Sequence, residues 1–281
     1  VVGLISESHA HGSVYDLVVT GLETDFTNKK EVMVAIEENK DFFEYVPEPL
    51  RSEREFILAA VNVHGYLINY LGDVLKADRE IVMAAVNEDG SALQYASEEL
   101  QADKEVVLEA VKNKGSALEY ASDEFKGDKE VVLAAVNTQT TVSFGNALQY
   151  ASDELRTDKE VVLAAVKEWG GALEYASDEL RADKEVALVA VKKNSRALRY
   201  ASEELRADKE VVIAAVKNLG SALEYASKEL QADKEVVIAA VEQDGDALKY
   251  ASKELQDDKE VVIAAVEQDG DAFGYASEAL R

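Results

Sequence analysis

The chain has 281 residues, a formal net charge of −26, 47% hydrophobic residues, two prolines and no cysteine. So much apolar content can bury a core and excludes a disordered tail, and the missing cysteines exclude disulfides, thiolate nucleophiles and cysteine-ligated zinc. The charge argues against nucleic acid, whose binding rests on Lys and Arg neutralising phosphates, and against anionic membrane surfaces; it fits solubility, or a protein partner that is itself basic.

The first 27 residues match no pattern seen later. The opening VVGLISESHAHGS lacks a basic n-region and an initiator Met, so it is not an intact signal peptide, and no apolar run in the chain approaches a membrane-spanning length. Val14, Leu17 and Val18 can form one amphipathic turn, and residues 1–27 are expected to cap the first apolar face of the region that begins at Asn28. From Asn28 the chain coincides with itself at a shift of 25 residues, with starts at Asn28, Glu53, Asp78, Asp103, Asp128, Asp158, Asp183, Asp208, Asp233 and Asp258. Every step is 25 except Asp128 to Asp158, which is 30.

Each unit reads as two short helices. In the copy at Asp103, Asp103 is a good N-cap and Glu105 places negative charge at the positive helix end. Val106, Val107, Ala110 and Val111 then make a broad apolar stripe at helical spacing. Gly115 is expected to end this helix in a left-handed conformation. Ser116 with Glu119 reads as a capping box for the second helix, repeated by Ser91 with Gln94 and by Ser221 with Glu224, and Leu118, Ala121 and Phe125 form its core stripe. A lone unit buries too few side chains to offset the entropy of ordering it, so neighbours must supply its second face. The expected fold is an all-α, superhelical solenoid of about ten helix–turn–helix repeats, with 28–281 as a single domain.

The signature D-K-E-V-V-x-A-A-V…G-x-A-L-x-Y-A-S-x-E-L, clearest from Asp78 onward, resembles the repeat of the domain-of-unknown-function 4116 family. That resemblance implies an all-helical tandem array and no catalytic residue. Two copies depart from it. In the copy at Asn28, Pro47 and Pro49 replace residues of the second helix and are expected to shorten it; in the copy at Asp128, the turn is lengthened to NTQTTVSFGN. The last copy keeps its apolar pattern through Val261, Val262, Val266, Ala272 and Tyr275, so either the array continues or its end is covered, and end-to-end homo-association is one expectation.

Several positions invite a functional reading. Ten of the 12 tyrosines occupy one repeat position, from Tyr45 to Tyr275; a ligand-stacking ladder is weighed against simple packing between units, and packing is preferred. Glutamate ladders (Glu105, Glu130, Glu160; Glu99, Glu124, Glu154) suggest calcium, yet rungs about 8–10 Å apart are too far for tight coordination, so dipole and ion-pair roles are expected. His9, His11 and His64 show no third metal ligand, and the sequence implies no cofactor, no metal and no catalysis. What remains is a recognition edge. Val142 and Phe144 in the insertion, Trp169 in the next turn and Leu219 two units on are expected to cluster, either as a protein-binding site or as a loop folded down onto Trp169 to cover itself, beside a locally basic unit carrying Lys192, Lys193, Arg196 and Arg199.

Overall fold

The structure, a computed structural model, describes residues 26–138 and 147–281. The described residues are helical and contain no strand, so the fold is an all-α repeat solenoid, built as two compact units, Val1–Asn113 and Lys114–Arg281.

The copy at Asp158 shows how the sequence builds a repeat. Asp158 is extended, and its carboxylate accepts from the N–H groups of Glu160 and Val161 at 2.9 and 3.2 Å, which caps the helix Lys159–Glu168. Val161, Val162, Ala165 and Val166 on its inner face are at most 1% exposed. The backbone extends again at Trp169 and winds into a 3₁₀ helix, Gly170–Tyr175, that buries Ala172 and Leu173. Ala176 and Ser177 are extended in turn, and the Ser177 hydroxyl accepts from the Leu180 N–H to begin a single α-turn, Asp178–Arg181.

The second helix of the sequence reading is therefore two pieces, a six-residue 3₁₀ helix and one α-turn, divided at the Ala-Ser step. This division corrects the expected capping boxes. The cap belongs to the residue just before the 3₁₀ helix, as where Asp89 accepts from the Ser91 N–H at 2.9 Å and Asn194 from the Arg196 N–H at 3.1 Å. Gln94 turns instead to the Ser91 carbonyl, and Lys114 and Leu219, ahead of Ser116 and Ser221, give no side-chain cap. The serine that does cap is the later one, of the Y-A-S segment, with Ser152 and Ser202 accepting from Leu155 and Leu205.

The turn glycine also has a different role from the one expected. Gly115 does not take a positive φ, nor do Gly65, Gly170, Gly220 and Gly245. A Cβ on Gly170 would instead lie 2.3 Å from the carbonyl oxygen of Ala190 in the next repeat, and the same holds for Gly220 against Ala240. Glycine at these places lets the neighbouring helix pass close by, although Ser195 takes the equivalent place in the repeat at Asp183 and is buried there with its hydroxyl on the Val191 carbonyl.

In the first unit the long helices Lys29–Glu38, Arg54–Val63, Arg79–Glu88 and Lys104–Asn113 come in succession, each packed on the next. Phe43, Ile36, Ile57, Leu67 and Ile68 are fully buried between them. The two prolines do not shorten anything: the 3₁₀ helix Lys40–Tyr45 keeps its six residues and the α-turn Glu48–Arg51 its four. Pro47 is the N-cap and Pro49 lies in the first turn, where helical N–H groups have no partner to lose.

In the second unit the long helices run from Lys129–Val136 to Lys259–Gln268, and three links join each to the next. Lys159 Nζ pairs with Asp183 and Glu185 at 2.7 and 2.8 Å, and Lys184, Lys209 and Lys234 do likewise one repeat further on. The Ser177 N–H donates to the Arg156 carbonyl at 3.0 Å, and Ser202, Ser227, Ser252 and Ser277 repeat that bond to Arg181, Arg206, Gln231 and Gln256. The third link is the glycine contact, made by Gly115, Gly170, Gly220 and Gly245, with Ser195 in the glycine's place at one junction. Since identical side chains recur at a fixed spacing, one local solution propagates along the unit.

Candidate functional site

The sequence placed the site on the turn edge, and within the second unit the structure brings consecutive turns together. A Cβ on Gly170 would touch the backbone N and Cβ of Asn194, and one on Gly220 would touch Asp244, so each turn abuts the next. Trp169 therefore neighbours the Asn194 turn, which in the order of packing precedes the Leu219 turn. Val142 and Phe144 lie outside the described residues.

Trp169 is 36% exposed. Its indole lies against its own repeat, because a Cβ on Gly171 would fall 2.4 Å from Trp169 Cζ2. Most copies carry a serine or a larger residue at that place, such as Ser91, Ser116, Asp246 or Arg196. Tryptophan and glycine are thus matched: the missing side chain makes the seat, and the ring's outer face stays in solvent. Leu219 is half-buried.

Lys192, Lys193, Arg196 and Arg199 are all exposed. Lys192 and Lys193 end the helix Lys184–Lys193, where cations meet the negative end of the helix dipole. The Arg199 guanidinium lies over the Tyr200 ring, 4.4 Å from its centroid, and bonds the Tyr200 hydroxyl. Burial pushes the Tyr200 phenol up, and Arg199 opposes that shift. A groove of about 320 Å³ opens beside this pair, lined by Asp178, Arg181, Tyr200, Ser202, Glu203 and Arg206 among others. Arg181 pairs with Asp178 and Arg206 approaches Glu203 at 3.8 Å, while Arg199 has no carboxylate within ion-pair distance among the described residues. Arg181 and Arg206 were not singled out in the sequence; their signal was arginine recurring two residues before the cap aspartate in the copies flanking Arg199.

The other ladders have structural work. Tyrosines of the ladder are half-buried, apart from Tyr275 at 37% exposure. Their hydroxyls reach back one repeat: Tyr70 donates to Glu44 at 3.2 Å, and Tyr150, bonded to Glu119, is pushed up to about 12 chiefly by burial. Glu160, Glu185 and Glu210 accept the lysine of the preceding repeat, and the Glu154 carboxylate is held low by its own N–H and the Ser152 hydroxyl. His64 Nε2 lies 3.1 Å from the Ile36 carbonyl, which fixes it in the stack; His9 and His11 lie outside the described residues. Among the described residues no helix is long and apolar enough to cross a membrane.

A run of near-identical helical units, each closed by its neighbour, defines a tandem-repeat protein. Residues 28–76, 53–101, 78–126, 103–142, 128–181, 183–231 and 233–281 match the family described as Domain of unknown function (DUF4116), and the chain belongs to that family. Each match starts at the N-cap of a repeat, and most span two consecutive copies. Neither a curated protein nor a solved structure matches the chain.

Proposed function

We propose that the chain is a non-catalytic scaffold that binds a protein partner along the turn edge of the second unit. Trp169 is the aromatic anchor, Leu219 adds apolar surface, and Lys192, Lys193, Arg196 and Arg199 supply charge, with Val142 and Phe144 joining from the insertion. The observation that carries this reading is the basic repeat itself. Lys192, Lys193 and Arg196 are exposed and make no ion pair among the described residues, although the chain holds 56 acidic residues against 30 basic ones. Elsewhere in the unit the repeating lysines are used to join repeats; these are left to solvent.

A partner suited to this edge is bipolar. Its acidic residues face Lys192 to Arg199, and its basic residues face the acidic turns at Glu242 to Asp246 and Glu267 to Asp271. Exposed charges act mainly on the rate of encounter, and aromatic anchors on residence time. The test is affinity capture from the native source with wild-type protein, Trp169→Ala, and a Lys192→Glu/Arg196→Glu pair, each first checked for an unchanged melting temperature. A partner retained by wild type and lost with both variants supports the reading. A partner held equally by all three refutes it.

A further inference from the structure

One junction of the second unit gathers arginine at three places around a single groove. The groove, of about 320 Å³, is lined by the α-turns Asp178–Arg181 and Glu203–Arg206 of consecutive repeats and by Arg199 and Tyr200. The Ser202 N–H, bonded to the Arg181 carbonyl at 3.0 Å, stitches the two turns together. Arg181 and Arg206 stand two residues before a cap aspartate, a place held in other copies by Arg, Lys or Gln. Arg199 stands where four other copies carry glutamate, namely Glu44, Glu119, Glu174 and Glu224. At the junction before this one, Arg156 and Arg181 are accompanied by Glu174 instead. No other pair of consecutive copies has arginine at all three places.

The fold does not require these arginines. Gln231 and Gln256 at the equivalent place donate to carbonyls of their own repeats, whereas Nε of Arg181 and of Arg206 is buried with no hydrogen-bond partner. The carboxylates beside them are largely in solvent, Asp178 at 88% and Glu203 at 90% exposure, and Arg206 lies 3.8 Å from its own. Arg199 rests on the Tyr200 ring and bonds the Tyr200 hydroxyl, with Glu174 acting on it from beyond ion-pair distance. A planar guanidinium held in this way keeps its other N–H donors for a ligand. Positive charge is thus gathered in a chain of net charge −26 at a loss of local hydrogen bonding, which is expected where a sequence serves binding rather than packing.

We propose that this groove binds the phosphate monoester of a phosphorylated side chain on a partner protein. Arg199 takes two of the phosphate oxygens through its planar fork, Arg206 leaves its loose contact with Glu203 to take the third, and Arg181 adds charge. A single carboxylate would compete with Asp178 and Glu203 on equal terms; a phosphate monoester carries about two charges and three acceptor oxygens and outcompetes them. The volume lies at the small end of the roughly 300–1,000 Å³ of ligand sites, which suits one side chain. Of the residues on the turn edge only Arg199 lines this groove, so the inference goes beyond the reading of that edge.

The full chain is titrated by calorimetry in low salt at about pH 7.5, where a phosphate monoester is largely dianionic. The probes are N-acetyl-phosphotyrosine amide, N-acetyl-phosphoserine amide, their unphosphorylated counterparts and inorganic phosphate. At least one phosphorylated amide binds, more tightly than inorganic phosphate, and the unphosphorylated amides do not bind. Arg199→Glu, which installs the residue of four other copies and so keeps the fold, weakens binding at least about tenfold by turning attraction into repulsion. Glu203→Gln, at an exposed position, frees Arg206 and strengthens binding about threefold, a gain that a misfolded variant cannot imitate. The proposal is overturned if neither phosphorylated amide binds, or if affinity is indifferent to Arg199→Glu. It is also overturned if inorganic phosphate binds as tightly as the esters, which would make the free anion the ligand. Trp169→Ala leaves all of these affinities unchanged, so the groove and the turn edge succeed or fail separately.

Discussion

Replacing Gly220 by alanine tests the junction geometry at one atom. The added Cβ would lie 2.3 Å from the Ala240 carbonyl oxygen and 2.7 Å from Asp244 Cβ, where ordinary contact begins near 3.4 Å. The obstacle is backbone inside a helix, which cannot rotate aside, so the two repeats must shift by about 1 Å, a shift that the junction carrying Ser195 at the equivalent place already accommodates. Overpacking of this kind costs roughly 1–3 kcal/mol. Gly220 does not sit at positive φ, so alanine also restricts the unfolded chain, which offsets about 0.4–1 kcal/mol. The net loss is about 1–2 kcal/mol, a fall of roughly 2–8 °C in melting temperature at about 2–4 °C per kcal/mol. Gly270→Ala is the internal control, since nothing lies within 4 Å of its Cβ; only the entropic gain remains, and stability stays level or rises slightly. Urea unfolding of both variants beside wild type decides the matter. If Gly220→Ala is as stable as Gly270→Ala, the close approach is not what requires glycine.

The same contacts lead to three further outcomes. Arg206 Nε is buried with no hydrogen-bond partner, whereas Gln231 at the equivalent place donates to the carbonyls of Leu223, Glu224 and Ala226 at 3.0–3.2 Å; Arg206→Gln should therefore stabilise the protein by about 1 kcal/mol in urea titration, and a loss would contradict this. Lysine bonds and two backbone N–H groups hold the cap carboxylates of Asp183, Asp208 and Asp233 below their ordinary range, so their contribution to stability is present above the unfolded value of about 3.9 and is lost as pH falls through and below it. Their partners Lys159, Lys184 and Lys209 are raised, so that side is lost only in strong alkali, and melting temperature should be flat from about pH 5 to 9 with an acid-side fall that Asp183→Asn/Asp208→Asn makes shallower. Tyr150, pushed up to about 12 by burial and by Glu119, should ionise above the ordinary phenol value of about 10 in an ultraviolet titration, and Glu119→Gln should bring it earlier; an unmoved titration would remove Glu119 as its partner.

Much of this was legible in the chain itself. The aspartate caps, the Val-Val-x-Ala-Ala stripe and the stacking of copies are set by periodicity, and the structure reproduces them. The family could be read from the same residues. What periodicity hid was the split of the second helix, because a six-residue 3₁₀ segment joined to one α-turn leaves almost the same apolar spacing as a short α-helix. The glycine was misread for a related reason: helix C-caps and close helix approaches both demand glycine, and only the position of Ala190 above Gly170 tells them apart. Serines invite a capping reading wherever they precede a helix, yet at Ser91 the N–H is already taken by Asp89. The prolines misled because Pro47 stands at a break between helices rather than inside one. On the turn edge, Trp169 and the basic repeat were found by their departure from the other copies, but the seat at Gly171 and the groove between Arg181 and Arg206 arise from contacts that no spacing rule describes.

The central claim is that one repeat holds its shape only against another. Far-UV circular dichroism of an isolated 25-residue peptide carrying the sequence of residues 183–207, in buffer at 25 °C, tests it most directly. A spectrum of unordered chain is the predicted result, and a cooperative thermal transition from a helical spectrum in that lone peptide would contradict it.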